Sequence, residues 1–249
     1  MGGVVTHPPR IPGPALVTGA GREREIGTAV CRALAAAGHE LAFSVPPGGD
    51  GGALAAELGA TVLEADLADP SAPASVLDAA VERLGALPSV LVNNAAHSVN
   101  GGYAEMDAAA LDAHYAVNVR APVLLSCELA RRHARGEPGR IVCMTSGQSL
   151  GPMLGELPYA TTKAALEMFA LQLAPEVMGL GITVNVVNPG VTDTGWVTQD
   201  IRAEVLPRMP AGRIGEAEDA ARLIAWLCSE DARWVTGQVI GSEGGFVRR

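Results

Sequence analysis

Short apolar runs alternate with longer stretches of helical periodicity from about residue 14 to the end of the chain. PALVTG (14–19), ELAFSV (40–45), ATVLEADL (60–67), SVLVNNAA (89–96), GRIVCMTS (139–146) and ITVNVVNPG (182–190) read as strands. GQVIGSEGG (237–245) holds a last one. Between them, apolar residues recur at helical spacing over 26–38, 53–59, 74–85, about 107–135, 157–179 and 216–229. The strands are almost continuously apolar, so both of their faces are expected to be covered. Strict alternation of strand and helix then predicts one α/β domain over 14–249: a doubly wound parallel sheet of about seven strands with helices on both faces. Ligands of such sheets bind beyond the carboxyl ends of the strands. The residues just after each strand therefore carry the functional information.

After the first strand comes TGAGREREIG (18–27). Glycines at such a turn let the backbone approach a phosphate, and the next helix offers unpaired N–H groups and a positive dipole end. Gly19, Gly21 and Gly27 are placed for this, with Arg22, Arg24 and Glu25 between them. By itself the pattern is equally that of a plain turn with a helix cap. After the fourth strand comes NNAA (93–96), and after the fifth TSGQS, with Ser146. Tyr159 is followed four residues later by Lys163. At that spacing the two share one helix face.

Composition narrows the field. The 249 residues, 48% apolar, are enough for one sizeable core. The formal charge of −9 argues against nucleic acid and anionic membrane surfaces as partners. No apolar run approaches the roughly 20 residues of a membrane span. Cys31, Cys127, Cys143 and Cys228 form no CxxC pair, and they read as reduced thiols of a cytoplasmic protein. Residues 1–13 read as a loose, proline-rich lead-in without a signal-peptide pattern.

Taken together, the glycine turn, the Asp66-Leu67 pair, NNAA, Asn118, Ser146, the Tyr-x-x-x-Lys pair and NPG (188–190) stand in an order that resembles the short-chain dehydrogenases/reductases. The resemblance runs from about residue 14 to the C-terminus, and its tone is that of 3-oxoacyl-carrier-protein reductases and related ketoreductases. It implies a Rossmann-type fold and reduction of a ketone to a secondary alcohol with a nicotinamide cofactor. Tyr159 would be the general acid and Ser146 the hydrogen-bond donor to the carbonyl oxygen. Lys163, with the positive nicotinamide of the oxidised cofactor, would lower the phenol; Lys163 would also hold the nicotinamide ribose, and Asn118 would anchor a water. Taken singly each has an ordinary reading: a core tyrosine, a strand-end serine, an asparagine bonded to nearby backbone.

The same resemblance assigns a cofactor wall of Gly19, Gly21, Ile26, Gly27, Asp66, Leu67, Asn93, Ala95, Pro189, Gly190, Val191 and Thr194. The family's TGxxxGIG turn is longer here by two residues, and Glu25 stands where its second glycine is expected. The second strand ends FSVPPGG, with no acid before Asp50 to bond a ribose 2′-hydroxyl. Arg22, Arg24 and Ser44 are candidates for a 2′-phosphate. The expectation is NADP(H) over NAD(H). The alternative is that both arginines pair with Glu23 and Glu25. No metal is expected.

For a small carbonyl substrate the candidates are His97, Gln148, Leu150, Met153, Leu154 and Trp196, under a lid at about 191–213. Arg131, Arg132 and Arg135 offer a basic helix end to a carrier-bound substrate, and equally a solvated one. Relatives of this kind are usually homotetramers. An alcohol or sugar dehydrogenase on the same site, and a non-catalytic NADP-binding regulator, are the competing readings.

Overall fold

The structure, a computed structural model, describes residues 9–247. Its centre is a parallel sheet of β1 (Ala15–Thr18), β2 (Leu41–Val45), β3 (Thr61–Glu64), β4 (Val90–Asn93), β5 (Gly139–Met144), β6 (Ile182–Asn188) and β7 (Val239–Gly241), in the order β3-β2-β1-β4-β5-β6-β7. The order reverses between β1 and β4, which pair with Thr18 beside Asn93. That switch point opens a crevice at the strands' carboxyl ends.

One face of the sheet is covered by α1 (Ile26–Ala36) and α8 (Ala217–Leu227), whose Leu34, Ile224 and Leu227 pack on Val17, Phe43, Val92 and Val142. The other carries α3 (Ala72–Leu84), α5 (Ala121–Arg132) and α6 (Leu157–Val177), where Leu77, Leu125, Leu129 and Leu166 meet Leu16, Leu91, Ile141 and Val184. Every residue of β1, β2, β4, β5 and β6 is buried. This is why their sequences are apolar without alternation. The short α2 (Gly52–Leu58) flanks the edge strand β3.

Three expectations are corrected. The helix expected over about 107–135 is α4 (Ala108–Tyr115) and α5 joined by a π-helical turn, Ala116–Arg120. The 191–213 segment is not all loop: it holds α7 (Gln199–Val205) and a 3₁₀ turn, Leu206–Arg208. The lead-in is not loose where it is described. Ile11 is fully buried, Arg10 bridges Ser229, and Pro9 O accepts from Glu230 N at 2.9 Å. Residues 1–8 lie outside the described residues.

The same corner holds Arg140, buried at the start of β5. Its Nε donates to Ser229 O at 3.1 Å and its Nη1 to Gly139 O at 2.9 Å, with Glu230 Oε2 3.5 Å from Nη2. Truncation would strand these buried acceptors. Arg140→Ala is expected to cost about 2–4 kcal/mol and to lower Tm by roughly 5–12 °C at this chain size. Calorimetry checks this.

Candidate active site

The glycine turn is built backbone against backbone. Gly19 has φ +72°, and a Cβ there would lie 2.6 Å from Ala95 Cα. A Cβ on Gly27 would lie 2.1 Å from Gly19 O and 2.6 Å from Asn94 Nδ2. The two feet of the turn therefore touch, and only glycine allows it. Asn94 seals the junction, donating to Gly19 O at 2.6 Å and Thr18 O at 3.2 Å. Gly19 N donates to Ser44 O at 3.0 Å and to Ser44 Oγ at 3.2 Å, tying the turn to β2.

The two extra residues bulge outward as an arch. Glu25 precedes α1 but does not cap it. Its carboxylate accepts from Arg22 N at 3.2 Å and Arg22 Nε at 2.6 Å. The first turn of α1 contains no acidic residue and no capping side chain. A glycine cradle that any side chain would fill, ahead of an uncapped helix, suits a pyrophosphate.

A cleft of about 750 Å³ runs from this turn across the carboxyl ends of β1, β4 and β5. Of the expected cofactor wall, Gly19, Arg22, Ile26, Ser44, Asp66, Leu67, Ala95, Pro189 and Thr194 line it, with Tyr159 and Lys163 at its far end. Gly21 and Gly27 back the turn. Gly190 turns at φ +66°, and Val191 packs on Val205 and Met209.

Asn93 was expected to contact the adenosine side through its backbone; its side chain faces the core, where Nδ2 donates to Ser126 Oγ at 3.0 Å, and the neighbouring Asn94 lines the cleft. One assignment fails. Arg24 leaves the cleft and pairs with Asp193 at 3.3 Å, which also holds Arg202 at 2.9 Å. Asp50, the first acid after β2, lines the cleft, with Oδ1 accepting from Gly52 N at 3.0 Å. Thr145 and Met144 were also missed.

At the far end, Lys163 is buried, and its Nζ donates to Met144 O at 2.8 Å and stands 5.5 Å from the Tyr159 ring centroid. Burial pushes Lys163 down to about 8. Burial, and then the charge of Glu156, push Tyr159 up to about 12, while the Ser146 hydroxyl pulls the other way. Lys163, together with the positive nicotinamide of the oxidised cofactor, was expected to lower the phenol. Among the protein's own groups desolvation dominates, and the Lys163 ammonium is turned to a carbonyl. Ser146 Oγ also meets Met153 Sδ at 3.8 Å.

Asn118 sits, fully buried, in the π-helical turn. Its Oδ1 accepts from His97 N at 2.7 Å. Its Nδ2 donates to His97 O at 2.8 Å and Thr162 Oγ1 at 3.1 Å. It thus brackets the segment after β4 to α6. His97 lines the cleft, its ring 4.6 Å from that of His114. Burial, and then His114, hold His97 below the usual histidine range. That direction favours the neutral ring as a hydrogen-bonding group.

The other substrate candidates are less uniform. Leu150, Leu154 and Trp196 are exposed, with Trp196 Nε1 donating to Thr192 O at 2.9 Å. Gln148 is turned to Glu167 at 2.6 Å and not to the cleft. Among the described residues no cluster could hold a metal, and no helix is long and apolar enough to cross a membrane.

The chain as a whole is similar to several known proteins. The profile of a family described as enoyl-(acyl carrier protein) reductase matches residues 19–247. An uncharacterized oxidoreductase of Bacillus subtilis, YjdA, is 46% identical over 245 residues, covering 94% of this chain and 96% of that one. The 3-oxoacyl-[acyl-carrier-protein] reductase FabG of Escherichia coli is 34% identical over 239 residues, 93% and 96% of the two chains. A short chain dehydrogenase from Burkholderia cenocepacia, crystallised with NADP, superposes with a TM-score of 0.85 at 34% identity, over 94% of this chain and 97% of that one. The chain belongs to the short-chain dehydrogenases/reductases, a family of oxidoreductases.

Proposed function

We propose that the chain is an NADP(H)-dependent ketoreductase, reducing a small carbonyl compound to a secondary alcohol. The observation that carries this reading is the joint position of Ser146, Tyr159 and Lys163 at one end of a cleft whose other end is a glycine-backed cradle. NADPH, when bound, supplies the hydride. The phenol of Tyr159 is protonated throughout the neutral range and gives its proton to the developing alkoxide. Ser146 donates a hydrogen bond to the same oxygen. Lys163 is a cation below about pH 8 and places positive charge behind the phenol. Tyr159 and Lys163 are four residues apart, as quoted above. The enoyl reductase branch spaces its pair further apart, which favours carbonyl over enoyl reduction.

NADP over NAD rests on Arg22, the arginine in the cleft wall. Its guanidinium is held by Glu25 at 2.5 Å but remains largely exposed, open to a phosphate. Arg22→Ala should lower kcat/KM for NADPH by about 10–100-fold and change that for NADH by less than about threefold. Equal losses with both cofactors would assign the preference elsewhere, with Asp50 the next residue to vary.

The exposed Leu150, Leu154 and Trp196, with Met153 against Ser146, support an apolar or aromatic carbonyl under a lid at about 191–213. Arg131 and Arg132 are engaged by Glu128 and Asp78, which weakens the case for carrier docking. Exposed Leu111, Tyr115 and Met168 on α4 and α6, and Trp234 near β7, support a homotetramer. A cytoplasmic location accords with four free thiols. Following NADPH oxidation with β-ketoacyl thioesters, quinones, cyclic ketones and keto-sugars tests the function. Turnover of one class names the substrate, and no turnover at all overturns the reading.

A further inference from the structure

Glu167 lies on α6 one turn beyond Lys163 and two beyond Tyr159, on the same side of the helix. It is buried. Three neutral donors converge on one of its oxygens, Oε1: Thr145 Oγ1 at 2.7 Å, Gln148 Nε2 at 2.6 Å and Ser149 Oγ at 3.1 Å. All three come from the five residues that follow β5, and Ser146 lies among them. Gln148 Nε2 also donates to Thr145 Oγ1 at 3.0 Å, so the three side chains form a single network. Thr145 Oγ1 is 3.4 Å from Lys163 O, and Thr145 N donates to Val187 O at 2.9 Å.

Burying a carboxylate against neutral donors is costly, and an apolar side chain would fill the space with less desolvation. What a carboxylate gives instead is one fixed point of convergence. With it, the strand end that carries Ser146 is fastened to the helix that carries Tyr159 and Lys163. Without it, three donors lose a shared acceptor, and the 145–149 turn keeps only the weaker 3.4 Å approach of Thr145 Oγ1 to Lys163 O as a side-chain tie from this network to α6. The orientation of the Gln148 amide follows: its N–H groups face Glu167, and its Oε1 is left buried without a partner.

We propose that Glu167 is a positioning residue of the reductive site, holding the turn after β5 so that Ser146 and Tyr159 converge on one carbonyl oxygen. The inference rests on the ketoreductase reading for its catalytic half and on hydrogen bonding alone for its structural half. Two measurements on the NADPH-loaded full chain separate them.

The first is amide hydrogen exchange of wild type, Glu167→Leu and Glu167→Gln. In Glu167→Leu the 145–150 amides should exchange at least about tenfold faster, with 14–21 unchanged. The second is steady-state reduction of whichever carbonyl the wild type accepts. Glu167→Leu should lose on the order of 10–100-fold in kcat, with KM for NADPH within about threefold. Glu167→Gln keeps one acceptor oxygen and should recover kcat to within about fivefold of wild type. Unchanged exchange in Glu167→Leu overturns the positioning role whatever the activity. Faster exchange with unchanged kcat also overturns it, because the network would then serve the fold alone. A wild type that reduces no carbonyl overturns the ketoreductase reading and leaves the exchange result to decide the clamp.

Discussion

Tyr159→Phe is expected to lower kcat for carbonyl reduction by about 10³-fold, close to 4 kcal/mol of barrier, while NADPH still binds. The ring stays, so the packing beside Lys163 is preserved, and only the acidic proton is removed. Steady-state rates together with a fluorescence titration of NADPH check both halves. A variant that kept even a tenth of wild-type rate would show that the proton comes from a group other than Tyr159. The pH dependence follows from the same pair. The phenol, pushed up to about 12, keeps its proton across the working range. Lys163 has a lowered value, so its charge is complete below about 8 and is lost above it. Reduction should therefore be flat through neutrality and decline above about pH 8, with the phenol contributing nothing to that decline.

Gly27→Ala should weaken NADPH binding by at least about 10²-fold. Its methyl group would fall 2.1 Å from a backbone oxygen and 2.6 Å from the Asn94 amide, and neither can retreat without opening the cradle. Gly179→Ala is the control. Nothing lies within 4 Å of a Cβ there, so affinity should change by less than about twofold. Titration of both variants, with Tm measured alongside, separates a damaged cradle from a damaged fold. Equal affinity in Gly27→Ala and wild type would show that the pyrophosphate sits elsewhere.

Much of this was legible in the residues because burial on both faces erases the polar half of a strand pattern. Five of the seven strands are wholly buried and stand out as mostly apolar runs with no polar alternation. The glycines and the Tyr159–Lys163 spacing were equally plain. What escaped notice was decided by single-residue geometry. Asn93 and Asn94 are adjacent and chemically identical, but β4 alternates its side chains, so one points to the core and the other to the cleft. Arg22 and Arg24 differ by two positions on an arch whose path no local rule fixes. The π-helical turn around Asn118 has no sequence signature distinct from the helix around it. α7 is only seven residues long, and its local signal, the Thr198 cap followed by Asp200 in the first turn, was passed over in a segment read as loop. Glu167 was passed over because a glutamate on a helix reads as solvent-facing until three donors are seen to meet on it.

The contact between Gly19 and Gly27 has a meaning for descent as well as for binding. Because the two feet touch, the residues between them form a ring closed at its base, tied further by Gly21 N to Thr28 Oγ1 at 3.0 Å and by Arg24 to Asp193 at 3.3 Å. The entropic cost of such a ring grows only with the logarithm of its length. Added length there leaves the contact between Gly19 and Gly27 undisturbed, so the arch can lengthen at little cost beside a junction that admits no side chain. Its two arginines illustrate how such spare length is taken up. Arg22 remains at the cleft wall, while Arg24 has been drawn off to Asp193, on the far side of the arch.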